Sequence, residues 1–234
     1  MRSIIELFAS AFHDSARINR KVIIDYLKKC NLGGLFLEVG PGEAPLLDSI
    51  RISEKQKVFI DLPGVFPKNR VSGIRYIEQD AGIDRWGLED ESIDVAVSSQ
   101  CLEHIPNTDH FISEANRVLK TGGSLFLSVP NQGALAFILM MLLTFNPTMN
   151  EVSNKFIGLG NPLSTHRFQR REKYFGYTHL RLFSTRAMND LLRVYGFKVI
   201  SNHGATWGVP LVGEFLAKIF PFYGLFTIVL AKKI

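Results

Sequence analysis

Glu38-Val39-Gly40-Pro41-Gly42-Glu43-Ala44 directly follows an apolar β-type run and precedes a helical pattern. Glycines at such a turn let backbone approach a ligand closely. Asp61 ends the next β-type run 21 residues beyond Gly40, near the roughly 20-residue offset at which an acid accepts hydrogen bonds from ribose hydroxyls. Asp80 closes a third run in Glu78-Gln79-Asp80-Ala81-Gly82, where an acceptor reaches an adenine amino group. Each of these residues alone also reads as a turn former, but together and in order they describe one nucleoside-shaped crevice. A second chemistry lies beyond the fourth run. Glu103-His104 offers an imidazole as general base for a hydroxyl acceptor, or else starts and caps the following helix.

These residues need a scaffold that gathers strand ends. Short β-rich runs at 35–40, 57–61, 74–79, 93–99 and 124–130 alternate with helical stretches near 43–52 and 108–119. Repeated strand-helix-strand predicts an α/β fold with a parallel sheet covered on both faces. An amphipathic helix over about 14–30 opens the chain, placing Ile18, Val22, Ile23, Tyr26 and Leu27 at helical spacing. After Pro130 the rhythm breaks into an insertion, about 131–183, holding the apolar run 134–145 and a basic, aromatic stretch. It resumes with a helix opening at Ser184 or Thr185, a run at 196–204, a helical stretch near 211–220 and a final strand at 225–233.

Composition narrows the class. The chain of 234 residues is 46% hydrophobic and 21% charged, which is globular rather than disordered, and its length suits a single domain. Cys30 and Cys101 are far apart in sequence, so the expected state is two buried thiols in a reduced, cytoplasmic compartment. The amino terminus lacks the pattern of a signal peptide, and no run reaches the roughly 20 apolar residues that span a bilayer. The net charge is +5. Arg167, Arg170, Arg171, Lys173 and Arg181 cluster among Phe168, Tyr174, Phe175 and Tyr177, with Glu172 the one acid. Such a cluster serves a phosphate or carboxylate on an acceptor, or is a solvated face. No nucleic-acid module accompanies it.

In their order these motifs resemble the class I S-adenosylmethionine (SAM)-dependent methyltransferases, in the ubiquinone/menaquinone-methyltransferase-like branch with Leu-Glu-His after the fourth strand. LFLEVGPGEA resembles the first motif, VFIDLPG the second strand with its ribose acid, IEQDAGIDRWGLEDESIDVAVSSQCLEHIPN the adenine and fourth-strand region, and ANRVLKTGGSLFLSVPN the fifth. The resemblance implies a Rossmann-like, seven-stranded, mostly parallel sheet with helices on both faces. It places Glu38 and Gly40 beside the amino-acid end of SAM, Gly42 at the turn, Asp61 and Leu62 at the ribose, and Asp80 and Ala81 at adenine. Ser98, Gln100 and Leu102 fall near the methyl donor. Ala44 stands where the family's third glycine is usual. An NAD-dependent oxidoreductase is the competing use of such a turn, but Pro45 occupies the place of the last small residue in its fingerprint.

The insertion supplies acceptor contacts in this family, and THLRLFS (178–184) resembles its His-x-Arg-x-Phe-Ser/Thr segment. His179 therefore joins His104 as a catalytic candidate, with Arg181 beside it and His166 a further imidazole; a structural role for His179 stays open. Quinone-precursor relatives hold a divalent metal with a Glu where Gln100 stands, so no metal is expected. The expected acceptor is a small molecule or a lipid-linked saccharide. The run 134–145, with Phe215, Leu216, Ile219 and Phe220, reads as a greasy wall or a peripheral contact with the membrane's inner face, although buried packing is the more common fate of such runs. A catalytically silent SAM-binding scaffold remains the alternative from another class.

Overall fold

The computed structural model describes residues 2–30, 33–66, 71–146, 151–153, 155–156, 158–160, 169–170, 178–207 and 212–234, with side chains from Ser15 onward. Among these are β1 (Phe36–Val39), β2 (Lys57–Asp61), β3 (Arg75–Glu78), β4 (Ile93–Ser99), β5 (Leu119–Pro130), β6 (Phe197–Gly204) and β7 (Phe226–Lys233). They form one seven-stranded sheet in the order β3-β2-β1-β4-β5-β7-β6. Strands β1 to β5 pair in parallel, and β7 runs antiparallel to both β5 and β6. The helices are α1 (Arg2–Leu27), α2 (Thr108–Val118), α3 (Leu135–Thr144), α4 (Thr185–Val194) and α5 (Gly213–Ile219).

The central strands β1, β2 and β4 are largely buried because both faces are covered, whereas the edge strands β3 and β6 carry exposed Arg75, Glu78 and Lys198. Successive side chains alternate sides: Leu37, Val39, Val58, Ile60, Leu125 and Leu127 pack with Phe111 and Ile112 of α2 and Met188 and Leu192 of α4. Phe36, Phe59, Val95, Val97 and Phe126 face the other way, against Ile23 and Leu27 of α1. Two caps fix helix starts by accepting backbone N–H bonds: Asn107 Oδ1 accepts from His110 N at 3.0 Å, and Ser184 Oγ from Ala187 N at 3.3 Å.

Four elements differ from the sequence reading. Helix α1 begins at Arg2, well upstream of residue 14. The helix expected near 43–52 is only a 3-10 turn at Leu47–Ser49, followed by Ile50 in extended geometry. Pro45 disfavours helix at the residue before it, and the Glu38 carboxylate takes the N–H groups of Leu46 and Leu47 at 2.8 and 3.0 Å, ordering this short segment without a helix. Strand β5 starts at Leu119, which pairs with Ile93, so it follows α2 with no intervening loop. The stretch near 211–220 forms the shorter helix α5.

Candidate active site

The pocket opens at the carboxyl ends of β1, β2 and β4, where strand order reverses between β1 and β4, the place where open α/β sheets take ligands. Its floor is the turn after β1. Gly40 and Gly42 have φ of +71° and +57°, a region that favours glycine. A Cβ on Gly40 would stand 2.4 Å from Cys101 Sγ, whereas one on Gly42 would meet nothing within 4 Å. Glycine at 40 thus serves the packing of two strand ends, and glycine at 42 the backbone conformation alone.

Asp61, at the end of β2, is locked onto this turn. Its Oδ2 accepts from Gly42 N at 3.0 Å and its Oδ1 from Leu62 N at 2.8 Å. Burial raises its pKa, and the two N–H groups pull it back in part. Each carboxylate oxygen has a second lone pair, and Asp61 lines the cavity, so acceptor capacity remains for a vicinal diol. Asp80 lies just past β3; its Oδ1 accepts from Gly82 N at 2.9 Å and its own N donates to Asp84 Oδ2 at 2.8 Å. The Ala81 carbonyl accepts from Trp86 Nε1 at 3.1 Å, which holds that loop on a buried ring. Together with Leu62, Asp80 and Ala81, these groups line a cavity of about 410 Å³, within the range of small-ligand sites.

Three of the implied donor residues sit behind this wall. Both Glu38 oxygens are engaged by the Leu46 and Leu47 N–H groups, and burial pushes its pKa up to about 7. Ser98 Oγ donates to the Val39 carbonyl at 2.9 Å, tying β4 to β1. Leu102 is likewise buried. Gln100 does line the pocket, at φ +56°. Its Nε2 donates to Ser128 Oγ at 3.0 Å, and that hydroxyl donates to Asn19 Oδ1 at 2.7 Å. Helix α1 therefore braces this pocket through Asn19, a contact without any sequence signal. Sequence reading also missed Glu43, Gly64, Ile105 and Pro106, and treated Cys101 only as a buried thiol; all five line the pocket. The Cys101 thiol is pushed up to about 12, by burial first and then by Glu103 and Asp61, and stays protonated near neutrality.

His104 reaches the same cavity from a 3-10 turn, Leu102–His104. The Glu103 carbonyl accepts from Leu180 N at 2.8 Å and Arg181 N at 3.2 Å, while Arg181 Nη2 donates to the Pro106 carbonyl at 2.9 Å. These three bonds clamp the 178–183 segment onto the turn and bring His179 against His104, ring centroids 4.8 Å apart. The Glu103 side chain is 1% exposed, its Oε1 lies 3.9 Å from His104 Nε2, and neither oxygen has a hydrogen-bond partner among the described residues. Burial pushes the carboxyl up to about 8. One carboxylate and two imidazoles, with candidate ligand atoms within 4.8 Å of one another, also suit a small divalent cation. His166 and most of the basic, aromatic stretch lie outside the described residues.

The family described as a methyltransferase domain matches residues 11–202. The chain belongs to that family. It is a class I SAM-dependent methyltransferase domain, with SAM as its cofactor, and the strand order is that of the class. A relative from Mycolicibacterium smegmatis, named as a probable SAM-dependent methyltransferase, is 28% identical over 53% of this chain and 36% of its own length. One from Mycobacterium tuberculosis with the same kind of name is 30% identical over 51% of this chain and 40% of its own. The chain thus matches well under half the length of these curated relatives. A ubiquinone biosynthesis O-methyltransferase of Xanthomonas oryzae is 29% identical over 63% of this chain and 61% of its own. Among solved structures, a SAM-dependent methyltransferase from Thermotoga maritima superposes with a TM-score of 0.55 at 18% identity, covering 95% of this chain and 91% of its own; that likeness shows the fold.

Proposed function

We propose that this methyltransferase domain transfers the methyl group of SAM to a hydroxyl on a small-molecule or lipid-linked saccharide acceptor, with His104 receiving the hydroxyl proton. One observation carries the reading: His104 opens into the cavity that holds Gly42, Asp61 and Asp80, and has a buried carboxylate behind it. The sulfonium of bound SAM supplies an electrophilic methyl group. In this reading, Asp61 and the Gly40–Gly42 turn hold the nucleoside, Asp80 and Ala81 meet adenine, and the Ile105-Pro106 wall limits water. Glu103 acts through His104 as a positioning residue, its buried carboxyl facing the ring Nε2 at 3.9 Å. His179, its ring tilted against that of His104, fixes the ring and contacts the acceptor.

The test is turnover of labelled SAM across hydroxyl-bearing saccharide and lipid extracts, alongside SAM affinity. His104→Gln should leave SAM affinity nearly unchanged and lower transfer by about 10²- to 10⁴-fold. Equal loss of affinity and transfer would refute the division of roles. SAM binding without methylation of any acceptor would favour the scaffold alternative.

The orphaned Glu103 oxygens support a second reading, in which Glu103, His104 and His179 hold a divalent ion that acidifies the acceptor hydroxyl. The family's acidic ligand is absent, because Gln100 is an amide bonded to Ser128, and His179 would be the third ligand. Loss of transfer on chelation and recovery with Mg²⁺ or Zn²⁺ would select this reading; indifference to chelation would select the base.

A further inference from the structure

Helix α3 is apolar on every side yet lies at the surface. Of its ten residues only Thr144 is polar, and its hydroxyl donates back to the Met140 carbonyl at 2.8 Å. Phe137 is its one buried large side chain, while Leu139, Leu142 and Leu143 are 50%, 66% and 76% exposed and Phe145, the residue that caps it, 91%. A helix apolar all round belongs in a protein core or in lipid, and among the described residues no core covers this one.

A second apolar patch adjoins it. Strand β5 ends where β7 begins, Pro130 pairing with Phe226, so α3 and the turn before β7 leave the same edge of the sheet. Asn131 joins them, its Nδ2 donating to the carbonyls of Phe222 and Gly224 at 2.7 and 2.8 Å. Phe215, Ile219 and Phe220 of this patch are 63%, 52% and 49% exposed. Trp207 packs on Phe220 and Tyr223 and donates from its indole nitrogen to the Phe220 carbonyl. This is also the carboxyl edge of β1, β2 and β4, where the donor pocket opens.

We infer that this face docks on an anionic lipid bilayer, so that acceptors are taken from the membrane surface. The inference deepens the lipid-linked reading above. Lipid is favoured over a protein partner because α3 offers no charged or free polar side chain, whereas protein interfaces carry about one hydrogen bond per 100–200 Å². Residues 131–183 contain six Lys/Arg and two Glu, a positive balance complementary to anionic head groups. At about 1.5 Å per residue α3 is near 15 Å long, too short to cross a core of about 30 Å, and no described helix is long and apolar enough to do so. An interfacial helix is the arrangement left.

The test uses the full chain with vesicles of phosphatidylcholine alone or mixed with phosphatidylserine, read by co-flotation and tryptophan emission. Trp86 is 1% exposed, so a blue shift on vesicle addition reports Trp207. Stronger partition to the anionic vesicles is expected. Leu142→Glu with Leu143→Glu should weaken it by about tenfold or more while SAM affinity stays unchanged. No partition, or partition equal in the variant, would overturn the inference. So would a dimer, seen by sedimentation, that the same variant dissolves while vesicles are ignored, since the face would then bind a second copy. Vesicle partition in a chain that fails to bind SAM would defeat the proposed function and leave the docking surface standing.

Discussion

Replacing Glu103 by Gln is expected to change how stability depends on pH while leaving stability near pH 5 almost untouched. Burial moves the Glu103 carboxyl from 4.5 to about 8. Between those values the folded chain keeps a proton that the unfolded chain has released. Raising pH therefore favours unfolding across this window, and the loss levels off above about pH 8. At about 1.4 kcal/mol per unit, the full gap is at most roughly 5 kcal/mol. Glu38, pushed up to about 7 by burial, adds a decline of the same sign. That decline is common to both proteins and cancels in their difference. Urea denaturation of wild type and variant at intervals from about pH 5 to 9 measures the difference directly. The variant should gain on wild type as pH rises. Parallel curves would show that Glu103 is not a proton-holding buried acid.

Other perturbations separate the donor pocket from the frame. Asp61→Ala removes the carboxylate proposed to accept from the ribose and frees the Gly42 and Leu62 N–H groups; calorimetry should show SAM affinity weaker by about 100-fold to about 10,000-fold, from two charge-assisted bonds of about 1.5–3 kcal/mol each. Gly40→Ala drives a methyl into Cys101 Sγ at positive φ and should lower the melting temperature sharply, whereas Gly42→Ala, with open space, should cost stability only about 1 kcal/mol; equal melting losses would contradict the geometry. Phe126→Ala, which empties a fully enclosed site between the sheet and α1, should destabilise by about 3–5 kcal/mol in denaturant.

The sheet was legible because strands buried on both faces must be apolar, and β2 and β4 fall at the boundaries read from sequence. The Gly40–Gly42 turn and Asp61 were legible for a related reason: close approach of backbone leaves few residue choices. The helix expected at 43–52 failed because nothing local shows that Glu38 takes the Leu46 and Leu47 N–H groups. Glu103 looked like an ordinary helix-start acid. Its burial depends on the 178–183 segment bonding back to its own carbonyl from more than seventy residues away, and backbone bonds leave no mark in sequence. His179 was reached by resemblance alone. The apolar run 134–145 was found, but its exposure as α3 rather than burial was beyond any periodicity, since the run has no polar face.

The most direct measurement is a calorimetric titration of the purified chain with SAM, with S-adenosylhomocysteine and NAD as comparisons. Saturable binding of SAM and S-adenosylhomocysteine near the micromolar range, about −8 kcal/mol, without NAD binding and weakened at least about 100-fold in Asp61→Ala, is the result expected of this pocket. NAD binding in their place, or no binding of any of the three, would contradict it.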